Sequence, residues 1–428
     1  MLAQQQQSFE FPEHASYHNQ TDWGFFSVLT RPAGERAKQR SYRLHLLPKV
    51  IGLVDPHCDS WLSQAEFIEP NRRVVNLLRL NLLFVDIDCH KLAWTGGKNR
   101  EQMCAGLLHF CAQEGIPEPS VVVFSGRGLQ AKWLLESSLP RQALPRWNAC
   151  QKALVEALSP LGADPQAKDA SRVLRLVNTV NTKSGEFCRV VHVAGSIDAP
   201  TRYGFEYLAE HLLPISRDQL QRKRQSTVPA LRVIEGSKRT NNSKFSRFSL
   251  NWHRLEDLRK LTELRGGVGE GQRMTHLFWQ LNFLLLSGAT HSQQMFHEAA
   301  ALARKIDSSW GYGEDALSTL YAKAQAHNAG ETIEFAGRKW SPLYTPKNDT
   351  LIDIFGITDT EQQHLRTIIS SDLARQRDTE NTRTRRRAAG IVNRSEYESN
   401  AISKQKPWEA EGISRATWYR RRETSLSL

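Results

Sequence analysis

The chain has 428 residues, 40% of them hydrophobic, and carries 57 Lys and Arg against 45 Asp and Glu, a formal net charge of +12. At roughly 100 to 200 residues per domain this length holds about two to four domains, and the composition excludes both a disulfide-stapled mini-protein and an acidic disordered chain. The longest apolar stretch, around residues 77–87, is interrupted by Arg79 and Asn81 and falls far short of the ~20 residues of a membrane span, so no membrane partner is expected. Six cysteines with no C-x-x-C pair argue against a zinc ribbon and a disulfide framework and for reduced thiols. The first residues, MLAQQQQSFEFPEHASY, lack the basic and apolar regions of a secretory signal, which predicts a cytoplasmic protein.

In chain order, residues 1–79 hold short apolar runs with Trp23, Phe25 and Phe26 and read as an N-terminal lobe. Residues 80–88 (LNLLFVDID) read as a strand, rich in branched residues and ended by polar ones. A helix is expected over 101–113, where Met103, Leu107, Leu108 and Cys111 form one stripe before Gly115 and Pro117. Strands over 121–124 and 129–135 flank Ser125-Gly126-Arg127-Gly128, a turn composition that suits a hairpin. A second helix follows over 144–158, and further strands over 172–177 and 189–193. This order is that of a ferredoxin-like, RRM-like α+β unit: a four-stranded antiparallel sheet with two helices on one face and the other face open.

The net charge is localised. Residues 214–249 hold nine Lys/Arg and two Asp/Glu, and residues 371–428 hold thirteen and eight, so these two segments carry +7 and +5 and the remainder sums to zero. The expected organisation is a catalytic domain over 1–213, a basic linker or nucleic-acid-binding arm over 214–252, a helical domain over 253–330 and a basic helical region over 350–428.

Three segments could carry chemistry. Asp86 and Asp88 sit one residue apart at a strand end, so both carboxylates project from one face; they either meet solvent or share hard cations. In the 125–133 segment two glycines allow close backbone approach, and Arg127 and Lys132 bring charges suited to phosphate. No Walker A motif is present, which argues against a P-loop helicase. Residues 162–183 pack Asp164, Asp169, Arg172, Arg175 and Lys183 into a loop-rich stretch. In a regular strand Arg172 and Arg175 would face opposite ways, so that only one could reach the site of Asp164.

Taken together and in that order, D-x-D, S-G-x-G-x-x-x-x-W and D-P-x-x-x-D-x-S-R-x-x-R-x-x-x-T-x-N-x-K resemble the archaeo-eukaryotic primase superfamily, in particular the primases of plasmids and mobile elements. The resemblance covers about residues 20–210, and residues 269–326 look like the helical domain that often follows such cores. It implies that Asp86, Asp88 and Asp164 are ligands of two Mg²⁺ or Mn²⁺ ions, with Asp169 the rival for the third position. It also implies that Ser125, Arg127, Gln130, Lys132, Arg172, Arg175 and Lys183 contact a nucleoside triphosphate. Many relatives have a phosphate-contacting histidine where this chain has Gln130, an uncharged hydrogen-bonding group. Trp133 suits either base stacking or the core.

Residues 406–422 (KPWEAEGISRATWYRRR) have helix-turn-helix form, with Gly412 at the turn, Ser414 as N-cap and Ile413 facing inward. Arg415, Thr417, Trp418 and Arg421 are then expected near DNA; the alternative is a charged terminal helix. The functional expectation is a primase that copies a single-stranded DNA template for a plasmid or mobile element. Origin duplex and a replicative helicase or polymerase of the host or element would be its further partners. The alternative is a non-catalytic replication initiator, and a third option is a metal-dependent nuclease.

Overall fold

The computed structural model describes residues 13–213, 247–390 and 402–426, apart from positions 20, 33, 91 and 336. Most of the expected basic arm, 214–246, lies outside the described residues. The chain forms two compact units, Met1–Thr345 and Pro346–Leu428.

The first unit is an α+β lobe with helices following it. Its strands are β1 (Phe25–Arg31), β2 (Lys38–Arg43), β3 (Asp59–Ser63), β4 (Ala65–Phe67), β5 (Leu77–Ile87), β6 (Val121–Phe124), β7 (Leu129–Pro140), β8 (Val173–Arg175), β9 (Val180–Asn181), β10 (Glu186–Phe187), β11 (Arg189–Val193) and β12 (Arg202–Tyr203). Ten of them make one mixed sheet in the order β11-β6-β7-β5-β4-β1-β3-β8, with β2 on β1 and β12 parallel to β7. Helices α1 (Leu47–Gly52), α2 (Arg100–Gln113), α3 (Leu144–Ala157) and α4 (Phe205–Leu212) complete the lobe.

The expected hairpin is β6–β7, paired from Phe124↔Leu129, and β7 runs antiparallel to β5. The expected helices are α2, started by a reciprocal Asn99–Gln102 capping box, and α3, which enters through Pro145. The sheet is larger than four strands because the N-terminal segment adds β1 to β4 to the same sheet. The strands expected to close the unit lie at its far edges, β8 on β3 and β11 on β6.

Nor is one face of the core open. Leu80 to Val85 are all buried, and since successive side chains alternate in direction, both faces of β5 are covered there. From α3, Trp147 donates its indole N–H to the Leu82 carbonyl at 2.9 Å, and the Gln151 amide bonds both backbone groups of Phe84. Elsewhere residues 13–18 lie against the sheet. Asn81 donates to the Tyr17 carbonyl at 2.6 Å, and Lys132 is ion-paired with Glu13 at 2.7 Å with both side chains sealed from solvent.

Four helices follow: α5 (Arg247–Leu264), α6 (Arg273–Leu286), α7 (Met295–Ile306) and α8 (Ser318–Asn328). They pack on the lobe through the segment leading into β5. Glu298 of α7, 2% exposed, accepts the backbone N–H groups of Val74 and Val75 at 3.1 and 2.9 Å, and Arg259 of α5 donates to the Val75 carbonyl at 3.1 Å. Lys305 of α7 reaches Glu69 at 2.8 Å. Burial pushes the Glu298 carboxyl up, against the two N–H groups that hold it down.

The second unit contains α9 (Asn348–Phe355), α10 (Asp359–His364), α11 (Ser371–Ala388), α12 (Ile402–Gln405), α13 (Pro407–Ala410) and α14 (Arg415–Leu426). Leu351, Phe355, Ile357, Leu365 and Ile368 form its small core, whereas α11 buries no residue. Among the described residues no helix is long and apolar enough to cross a membrane.

Replacing Glu298 by Ala leaves two buried N–H groups unpaired. Urea unfolding is expected to show a loss of about 2 to 4 kcal/mol, and an unchanged midpoint would refute this account of the docking.

Candidate functional site

The end of β5 is where the backbone crowds most closely. The Asp88 N–H bonds the Gly162 carbonyl at 2.9 Å and the Asp164 N–H bonds the Asp86 carbonyl at 2.8 Å, so residues 162–164 run as a short extra strand beside Asp86 and Asp88. Gly162 turns into this segment at φ +93°, a conformation that other residues resist. At the neighbouring turn, a Cβ on Gly128 would stand 2.1 Å from the Ile87 carbonyl oxygen, so only glycine fits. These two contacts bring the first and third acidic segments and the β6–β7 turn to one place.

The result is a cleft of about 340 Å³ lined by Asp86, Asp88, Asp164, Ser125, Arg127, Gln130, Arg172, Arg175 and Lys183. Asn181, the asparagine of the third motif, lines it too, as does Trp61, which the sequence pattern does not mark. Gln130 stands directly across from Asp86 in the β5–β7 register and is 2% exposed, and its side-chain carbonyl oxygen has no hydrogen-bond partner among the described residues. Asn181 donates to the Ser125 carbonyl at 2.9 Å, tying the β9–β10 hairpin, which carries Lys183, to the β6–β7 turn.

Two expected residues lie elsewhere. Lys132 is held by Glu13 and stands 4.9 Å from the Tyr17 ring centre, because residues 13–18 cover its stretch of the sheet; it cannot reach a phosphate in the cleft. Asp169 folds back on its own turn, accepting from the Ser171 N–H and hydroxyl at 3.0 and 2.5 Å, and is not part of the cleft lining. Trp133 is a core residue that donates to the Pro117 carbonyl at 2.7 Å. Arg172 and Arg175 do share the cleft, contrary to the alternation argument. Arg172 precedes β8 and closes a turn with its N–H on the Asp169 carbonyl, so strand periodicity does not govern it.

The charges are arranged in pairs. Arg172 contacts the Asp164 carboxylate at 3.0 Å, and His90 contacts Asp88 at 2.5 Å. Accordingly, among the described residues no three His, Cys, Asp or Glu side chains are gathered as a ready metal cage. Asp86 has no ion pair among the described residues. Burial pushes its carboxyl up to about 6; Arg172 opposes that shift, while the neighbouring charges of Asp164 and Asp88 add to it. The donor set, carboxylate oxygens around an uncompensated negative group, suits a hard divalent cation such as Mg²⁺ or Mn²⁺.

A second acid behind the cleft organises its cationic side. Asp59, 1% exposed, accepts from Arg31 at 2.6 Å, from Arg175, and from both the N–H (3.1 Å) and hydroxyl of Thr182. Burial alone would raise its carboxyl, but the hydrogen bonds from Thr182, Arg31 and Arg175 outweigh that and hold it well below the usual carboxylate range. Trp61 lies 4.8 Å from the Arg175 guanidinium and 5.4 Å from that of Arg31. Asp59 and Trp61 escaped the sequence reading because no local motif surrounds them; the only signal was their position on a strand later paired with β8.

In the second unit the segment expected to form a helix-turn-helix consists of two short helices, α12 and α13, separated by Lys406 at φ +43°, then a turn at Gly412 and α14 capped by Ser414 on the Thr417 N–H at 3.2 Å. Two of the residues expected near DNA are engaged inside this motif: Arg415 stacks 5.3 Å from the Trp408 ring and Trp418 donates to Glu411 at 3.1 Å. Arg421 is exposed, and the Thr417 hydroxyl bonds Ser414 at 2.8 Å.

No family model matches the chain. It is 28% identical over 313 residues to a replication protein of Clostridium perfringens, a match spanning 72% of this chain and 68% of that protein. Among solved structures it is similar to the archaeo-eukaryotic primase domain of the cyanophage S-2L primase-polymerase (TM-score 0.35, 17% identity, 47% of this chain and 96% of that one). It is also similar to the catalytic domain of primase RepB′ in complex with initiator DNA (TM-score 0.29, 15% identity, 48% and 91%) and to primase RepB′ (TM-score 0.28, 15% identity, 71% and 93%).

Two measurements test this site. Asp59→Asn leaves two arginines without their buried counter-charge and is expected to cost roughly 3 kcal/mol at pH 7. Because the carboxyl of Asp59 is depressed, its contribution is present above the ordinary carboxylate pKa and fades as pH falls below it, so wild type and variant should converge in acid. Asp86 has the opposite sign. With its carboxyl raised to about 6, the metal-free fold is disfavoured above that pH and relieved as pH falls through it. Asp86→Asn should therefore stabilise the metal-free protein by roughly 1 to 2 kcal/mol at pH 8 after allowance for solvent screening, and by nothing near pH 4.

Proposed function

We propose that the chain is a primase-polymerase of the archaeo-eukaryotic primase type that makes primers on single-stranded DNA for replication of a plasmid or other mobile element. The observation that carries this reading is the convergence of Asp86, Asp88 and Asp164 with Arg127, Arg172, Arg175 and Lys183 in a single cleft. Sequence similarity to a replication protein over 72% of the chain supports it.

Asp86, Asp88 and Asp164 would hold Mg²⁺ or Mn²⁺, which supply positive charge against the triphosphate and acidify a primer 3′-hydroxyl. The chain's own groups do the positioning. Arg127, Arg172, Arg175 and Lys183 face the negative phosphate chain, the guanidinium forks matching its oxygens in pairs. Asp59 fixes Arg175 and the Thr182–Lys183 turn before substrate arrives, so little order has to be gained on binding. A triphosphate that takes over Arg172 frees the Asp164 carboxylate, so phosphate binding and cation binding favour one another. Ser125 and Gln130 contribute neutral hydrogen bonds, the latter from the position where many relatives of this type have a charged histidine.

In the second unit, Arg415, Thr417, Trp418 and Arg421 are proposed for origin or template DNA. The basic 214–246 segment and a replicative helicase or polymerase belong to the same assignment. A second reading, a non-catalytic replication initiator, is favoured by the pairing of Asp88 with His90 and of Asp164 with Arg172.

Purified protein with primer-free single-stranded DNA, Mg²⁺ or Mn²⁺ and all four nucleotides separates the two. A primase incorporates nucleotides on the template, and Asp86→Ala lowers incorporation at least 100-fold, about 2.7 kcal/mol, while DNA binding persists. Absence of incorporation by the wild type sinks the enzymatic reading, and template cleavage without nucleotides would make the protein a nuclease.

A further inference from the structure

We propose that a groove on the sheet face opposite the cleft, floored by β1 and walled by β2 and the α1 region, holds a single strand of nucleic acid. The groove measures about 700 Å³, and its lining includes Lys38, Arg40 and Tyr42 of β2, Val28 of β1, Leu53, His57 and one acid, Asp55, whose carboxylate accepts the His57 backbone N–H at 2.9 Å. It rests on the reading above only for the class of its occupant, not for catalysis.

Charge makes the first argument. Residues 1–213 carry an excess of only +2, yet residues 31–49 hold six Lys/Arg against one acid, Glu35, and two of the six, Lys38 and Arg40, line the groove. That acid is spent on Lys38 at 2.5 Å, while Arg40 is exposed and makes no ion pair among the described residues. Among the described residues β2 is bonded to β1 alone, as an edge strand. Lys38, Arg40 and Tyr42 alternate onto one face, with the two cations roughly 7 Å apart along the strand, so both can meet one phosphate chain. Tyr42 and His57 supply ring faces and Leu53, 77% exposed, an apolar surface on which bases can rest.

Geometry makes the second. Val28 and Thr30 line the groove, while Trp61, the register partner of the intervening Leu29, lines the cleft. The two cavities therefore lie on opposite faces of the same strands. They are joined by the β9–β10 hairpin: its Val180 N–H bonds the Pro56 carbonyl at 2.7 Å, Phe187 meets the His57 ring edge-on at 6.0 Å, and Lys183 reaches the cleft. A strand held in the groove is thus connected to the cleft by one short hairpin.

The test uses the full chain, a bromodeoxyuridine-substituted single-stranded oligonucleotide and neither nucleotide nor metal. Photo-crosslinks are expected in peptides spanning residues 38–57. Arg40→Glu, at an exposed position, should remove them, weaken affinity about tenfold at low salt and lower the salt slope by about one. Crosslinks confined to the 214–246 segment or the second unit, with Arg40→Glu binding like wild type, overturn the proposal. So does a variant that keeps DNA affinity but loses capture of a protein partner. If the wild type incorporates no nucleotides while Arg40→Glu still loses crosslink and affinity, the groove assignment holds and the enzymatic reading falls.

Discussion

The site depends on how tightly the backbone closes around the end of β5. One side of that strand end is filled by Gly128, whose missing side chain lets the β6–β7 turn touch the Ile87 carbonyl, and the other by residues 162–164, hydrogen-bonded to Asp86 and Asp88. Acidic residues more than seventy positions apart in the chain are therefore placed by main-chain contacts, which are stiffer than side-chain packing. Once that seam is made, the position of Asp164 relative to Asp86 follows from covalent geometry.

Local periodicity made β5, α2, the β6–β7 hairpin and α3 legible, since each is one unbroken pattern between clear stops. The sheet's true extent was not legible. β1 to β4 are short and separated by loops, and pairing of β3 with β8 joins residues more than a hundred positions apart, which no local pattern encodes. The acidic residues of the cleft could be picked out by spacing, as could most of the cations. Lys132 could not be assigned correctly, because its burial depends on residues 13–18 crossing the sheet, and Arg172 could not because a turn, not a strand, sets its direction. Asp59 and Trp61 carry no spacing signal; their place at the cleft is a product of tertiary structure alone.

Buried ions recur in this lobe with different consequences. Asp59 is surrounded by donors from three segments and is held firmly in its charged form, so it works as a fixed anode behind the cleft. Asp86 is half-buried without such donors, beside two other acids, and is poorly satisfied as the chain stands. Desolvation is similar in kind for both, and hydrogen bonding decides which group is at rest and which is left seeking a positive partner. Glu298 is intermediate, a carboxylate used to stitch the helices onto the strand that ends in Asp86.

The Glu13–Lys132 pair has a practical consequence for anyone shortening this protein. Glu13 lies outside the strands and helices of the lobe's core, yet it is the counter-ion of a lysine in the middle of the sheet. A fragment begun at Trp23 would lose that anion together with Tyr17 and His18, and with the cover gone Lys132 would open to water. Such a fragment would fail through lost packing and lost hydrogen bonds to Ser63 and Asn81 as much as through the missing counter-ion, so neutralising position 132 alone would not recover it.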